Sequence, residues 1–125
     1  MRHTLNPTAA HEAGHVVAAR LFDARGVTAR LHVGRHGTRG MTRLRAWRAA
    51  DTDFVVYILA GPAAGRLITG NPALVGSDDL DVARRITVRI GASYRDAEQR
   101  AARLVRQHRA DIERTAALLL DHGRI

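Results

Sequence analysis

The chain is 125 residues long, with a formal net charge of +8, 46% hydrophobic and only 4% aromatic residues, and no cysteine. That length fits one domain whose core must come from Ala, Val, Leu and Ile. The lack of cysteine excludes disulfides and thiolate metal sites, so any zinc would have to be held by histidine and carboxylate.

Asn6 followed by Pro7 reads as an N-cap and first helical residue. Ala9, Ala10, Ala13, Val16, Val17 and Leu21 supply helix formers and an apolar stripe, predicting a helix over roughly 7–24 with Gly26 as its stop. This helix carries His11-Glu12-Ala13-Gly14-His15. At 3.6 residues per turn, His11 and His15 share a face and can hold one metal ion, while Glu12 points about 100° away. Glu12 is thus no third ligand beside them, but it can reach a water on the metal's open side. Metal-assisted hydrolysis needs that division: neutral imidazoles grip zinc, the ion acidifies water, and a carboxylate takes the proton. Gly14 costs roughly 1 kcal/mol against Ala within a helix, which close approach of another backbone would explain.

Val27 to Val33 alternates apolar and polar residues, as a half-buried strand does. Gly34, Gly37 and Gly40 mark a turn, and Met41 to Trp47 forms the return strand, giving a hairpin over roughly 27–33 and 41–47. All twenty basic residues are arginine. Seven of them (Arg25, Arg30, Arg35, Arg39, Arg43, Arg45 and Arg48) fall between Ala24 and Ala50, a stretch without any acidic residue. Such a ribbon attracts acidic partners or polyanions. Trp47 is its only aromatic residue, so base stacking is poorly provided for and a nucleic-acid role is not the favoured reading. His32 and His36, on strand and turn, read as solvated.

Asp51 or Thr52 caps a second, strongly apolar helix over 51–69, with a kink expected at Gly61-Pro62 and an end at Gly70-Asn71-Pro72. A third helix covers 78–90, with Ser77 or Asp78 as its cap. Asp78, Asp79 and Asp81 suit the positive end of that helix, and one of them can be the third metal ligand that two histidines leave wanting. Gly91 breaks the pattern, and Ser93 with Asp96 resembles a capping box. A last helix over 93–121 has a seam through Ala97, Ala101, Leu104, Val105, His108, Ile112, Thr115 and Leu119. His108 reads as a packed histidine, and Arg100, Arg103, Arg106 and Arg109 line a solvated face. The expected fold is therefore mainly α, with about four helices and a small β-hairpin. The longest apolar run, Phe54 to Ala64, is too short to span a bilayer, and no signal peptide is evident, which predicts a soluble, cytoplasmic protein.

In this order the segments resemble the protease domain of the FtsH-type ATP-dependent zinc metalloproteases, from about Thr8 to Asp121. Ala10-His11-Glu12-Ala13-Gly14-His15-Val16 is similar to that family's zinc-binding helix. Gly40-Met41-Thr42 matches its Gly-Val-Thr at a strand start, and Leu59 to Gly70 follows its Leu-Ala-Gly-Arg-Ala-Ala-Glu-Glu-Leu-Ile-Phe-Gly helix. Gly76-Ser77-Asp78-Asp79-Leu80-Asp81-Val82-Ala83 resembles the segment holding the family's third ligand, and the match implies that Asp79 is that ligand. Gly65 and Arg66 stand where the family has two acidic residues, only Gly91 and Ala92 replace a longer excursion, and no ATP-binding motif is present.

The resemblance thus implies a stand-alone zinc metalloendopeptidase: His11, His15 and Asp79 for Zn²⁺, Glu12 as general base, and the Met41, Thr42, Arg43 and Leu44 strand as the edge for an extended substrate. Without its own ATPase it would take unfolded or flexible polypeptides or chains delivered by a partner, with oligomers possible and no membrane attachment. The alternative is a catalytically idle module of the same fold whose arginine ribbon meets an acidic partner or nucleic acid.

Overall fold

The computed structural model describes residues 6–70 and 77–125. In chain order the elements are α1 (Pro7–Leu21), β1 (Thr28–Gly34), β2 (Gly37–Arg43), α2 (Asp51–Thr69), α3 (Ser77–Ile90), α4 (Tyr94–Gln107) and α5 (Arg109–His122). The fold is mainly helical with one two-stranded antiparallel sheet, as the sequence predicts. No helix among the described residues is long and apolar enough to cross a membrane.

Several helix ends follow local chemistry. The Asn6 side chain accepts from the Thr8 and Ala9 backbone N–H groups at 2.9 and 3.1 Å, with Pro7 opening the helix. Ser93 accepts from Asp96 N–H, and Gly91 takes a left-handed φ of 68° to reverse the chain after α3. Asp51 and Thr52, expected as caps of α2, lie inside it: the N-cap is Ala50, which has no side-chain bond to offer, and Asp51 and Asp53 complement the dipole instead. Ser77 and Asp78, the expected caps of α3, likewise lie within it, since the helix begins at Ser77. Asn71 and Pro72, expected to end α2, lie outside the described residues, and Gly70 closes that helix with φ 73°.

The single helix expected over 93–121 is two. The chain breaks at His108, where no glycine or proline signals it. The cause is tertiary: α4 buries Ala97, Ala101 and Val105 against α2, while α5 buries Ile112, Thr115, Ala116 and Leu119 mainly against α1. One straight helix could not serve both surfaces. α2 itself runs unbroken through Pro62 and is buried on most sides, which explains its unusually continuous apolar sequence.

At the centre α1 lies on α2 at very short range. A methyl group on Gly14 would stand 2.5 Å from the Ala60 carbonyl oxygen and 2.6 Å from the Ala64 Cβ, so the glycine permits the contact. Helix propensity favours Gly14→Ala by about 1 kcal/mol. Overpacking against backbone costs about 1–3 kcal/mol. The variant is therefore expected to be less stable, read as a lower urea midpoint.

The hairpin closes through a two-residue turn at Arg35-His36, with Gly34 paired to Gly37. The return strand consequently begins at Gly37 and ends at Arg43, four residues earlier at each end than the pattern suggests. Trp47, expected on that strand, packs instead with Phe22, Phe54 and Tyr57 at ring distances of 5.1–5.6 Å. Four of the chain's five aromatic residues thus gather between hairpin and helices. The outer edge of β1 is covered by the C-terminal residues: Leu31 N–H donates to Gly123, and Ala29 and Ile125 exchange bonds at 2.9–3.0 Å. Among the described residues no further strand pairs with the outer edge of β2.

Candidate metal centre

His11 and His15 point from one face of α1, and Asp79 reaches them from the first turn of α3. The Asp79 Oδ2 atom lies 2.9 Å from His11 Nε2 and 3.1 Å from His15 Nε2, and the two Nε2 atoms are 3.0 Å apart. Asp79 is thus the aspartate that meets the histidines. Asp78 lines the same cavity from an exposed position, and Asp81 is exposed.

Tautomer chemistry sharpens this geometry. His15 Nδ1 is 3.1 Å from the Tyr57 carbonyl oxygen, which can only accept, so Nδ1 carries the proton. In the neutral ring the Nε2 lone pair then faces Asp79 Oδ2 and His11 Nε2. Such a cluster holds together when His11 carries its proton on Nε2 and donates it to the other two atoms, or when all three share a metal ion. A tetrahedral ion with bonds of about 2.0–2.2 Å spaces its donors roughly 3.3–3.6 Å apart, only a few tenths of an ångström wider than here. The donor set therefore fits zinc, and the Nδ1–H···O=C bond is the kind of outer contact that holds a ligating imidazole in register. His11 Nδ1, by contrast, is buried without a hydrogen-bond partner among the described residues.

The electrostatics are those of a cation-seeking site. Burial opposes the imidazolium of His15, yet the hydrogen bond and charge of Asp79, together with Glu12, hold its pKa above the ordinary histidine value. Burial would likewise raise Asp79, but hydrogen bonds from His11 and His15 keep its carboxyl well below the usual range. Tyr57, whose ring lies 5.2 Å from that of His15, is pushed up to about 12 by burial and by the charges of Asp79 and Glu12. It is a neutral phenol at physiological pH.

Glu12 stands beside this group, with a ligand atom within 4.8 Å of those of His11 and His15. Its Oε1 accepts the Thr42 hydroxyl at 2.7 Å, which ties it to β2 while Asp79 completes the triangle. Two glycines make the space. A Cβ at Gly40 would fall 2.6 Å from Glu12 Cγ, and one at Gly61 would enter the His15 ring. Gly40, expected in the turn, lies in β2, and both glycines let site side chains lie close against backbone. A glycine inside a helical apolar run is itself a signal of close approach, although it does not say by what. Nothing in the sequence marks Tyr57.

His11, Glu12, His15 and Asp79 line one cavity of about 620 Å³, bounded by α1, the residues Thr38 to Thr42 of β2, Tyr57 and Ile58 of α2, and Asp78 and Asp79. Of the residues expected to meet substrate, Met41 and Thr42 border this cavity. Arg43 lies on the far side of Met41, against Thr28 and Arg30, and Leu44 follows the strand's end. Gly65 is buried in α2, and Arg66 is exposed. Compared with known proteins, the chain matches no family model and no curated sequence.

Proposed function

We propose that the protein is a cytoplasmic zinc-dependent metalloendopeptidase that cleaves unfolded or flexible polypeptide segments. One observation carries this reading: two imidazole nitrogens and a carboxylate oxygen converge within 3.1 Å of one another in an open cavity, with a second carboxylate, that of Glu12, beside them. His11, His15 and Asp79 would hold the ion. Zinc there would supply Lewis acidity, polarising a scissile carbonyl and acidifying water.

The chain's own residues would do the rest. Glu12 takes the proton of the attacking water and passes it to the departing amine. Its hydrogen bond from Thr42 fixes the carboxylate in the cavity wall. The pairing of Thr28, Arg30 and His32 with Arg43, Met41 and Arg39, together with Ala29 and Leu31 bonding outward to the C-terminal residues, turns the backbone groups of Thr38, Gly40 and Thr42 to the outer edge, where the Thr38 carbonyl already accepts the Thr8 hydroxyl at 3.4 Å. An extended substrate can add there as a further strand, which a folded chain cannot do. The motif order shared with the FtsH-type protease domain supports the same assignment.

Zinc-loaded protein should cleave a reduced, carboxymethylated protein and spare its folded form, with a chelator stopping the reaction and zinc restoring it. Intact unfolded chains after incubation with the zinc-replete protein would exclude the peptidase.

A further inference from the structure

The open edge of β2 also carries a charge pattern, and that pattern has a register. Side chains of Thr38, Gly40 and Thr42 face α1: Thr42 bonds Glu12, Thr38 bonds Asn6, and Gly40 abuts Glu12. Arg39, Met41 and Arg43 consequently point to the opposite face of the sheet, and all three are exposed. On that face they lie beside His32, Arg30 and Thr28 of β1. No carboxylate pairs with Arg30, Arg39 or Arg43 among the described residues, and none occurs between Ala24 and Ala50. Met41 is 53% exposed between the two arginines, with its sulfur 3.1 Å from Arg43 Nε.

A strand added to this edge would set every second side chain on the same face as Arg39, Met41 and Arg43, with directly opposed Cβ atoms about 4.5–5.5 Å apart. Resting on the peptidase reading and deepening it, we propose that the cleft selects extended segments with the pattern acidic-x-apolar-x-acidic, the acidic side chains meeting Arg39 and Arg43 and the apolar one covering Met41. The intervening positions turn toward α1 and the metal-centre side of the sheet, so the same charges moved by one residue would meet no arginine.

The test is binding rather than turnover, on the zinc-loaded Glu12→Gln protein so that the probe stays intact. Fluorescein-labelled peptides containing Glu-x-Leu-x-Glu, Lys-x-Leu-x-Lys, or the two glutamates shifted by one position are titrated and followed by anisotropy. The acidic in-register peptide should bind about tenfold more tightly than either of the others at low salt, an advantage that fades toward 0.5 M salt as screening of about 10 Å or less sets in. The double charge reversal Arg39→Glu with Arg43→Glu, at exposed positions, should transfer the preference to the lysine peptide. Equal binding of the three peptides, no binding at all, or an unchanged preference after charge reversal would each overturn the proposal. Failure of the peptidase reading would show differently, as the parent protein binding the acidic peptide in register yet leaving unfolded protein uncut.

Discussion

Glu12→Gln is expected to keep one zinc per chain and to slow cleavage of unfolded protein by at least about 10²-fold, within the range of 10²–10⁴ that a positioned general base contributes. The substitution is nearly isosteric, so the packing against Gly40 and the hydrogen bond from Thr42 can persist. What goes is the capacity to accept a proton from water. Because the triangle of His11, His15 and Asp79 does not include Glu12, metal content should not fall with activity. Elemental analysis beside a cleavage assay reads both quantities. Equal cleavage by variant and parent would remove Glu12 from the chemistry, and loss of zinc would make it a ligand.

Asp79→Ala is the second large effect. It removes the one oxygen that touches both imidazoles and leaves two buried nitrogens without a counter-charge. Outer partners of a metal site are worth about 10–100-fold in affinity, and a direct ligand should exceed that, so zinc binding is expected to weaken by more than about 100-fold. Asp78→Ala and Asp81→Ala, one and two positions away on exposed parts of the same helix, should retain their metal. Competition against a chromogenic chelator measures all three. The contrast matters more than any single value: if Asp78→Ala lost zinc as fully as Asp79→Ala, the loss would come from the helix start as a whole rather than from one carboxylate.

The two histidines and the glutamate were legible because their relation is local. Four residues along an α-helix return to the same face whatever the surroundings, so His11 and His15 could be paired without knowledge of the rest of the chain. The capping of α1 by Asn6 and of α4 by Ser93 was legible for the same reason. Asp79 belongs to a different class. Spacing left Asp78, Asp79 and Asp81 equivalent, and resemblance to another family chose among them; in the structure, the packing of α3 on α2 determines which of the three reaches α1.

Misread features share one cause. The pattern puts the return strand four residues late because three glycines look like one turn, whereas Gly40 is a strand residue whose missing Cβ admits Glu12 from 28 positions earlier. The last helix reads as continuous in sequence because its apolar seam continues through His108, although the two halves face different partners.

By itself, then, the sequence determined what short-range geometry can determine: a mainly helical chain with one hairpin, a histidine pair on the first helix with a glutamate beside it, and an arginine ribbon without acidic residues. Only the tertiary structure decided that Asp79 closes the triangle, that Gly61 and Gly40 clear the space for His15 and Glu12, that Tyr57 orients His15, and that the C-terminal residues cover β1 while no described strand pairs with the outer edge of β2. Those relations join residues 28 to 96 positions apart, and no periodicity within one element encodes the angle at which two elements meet.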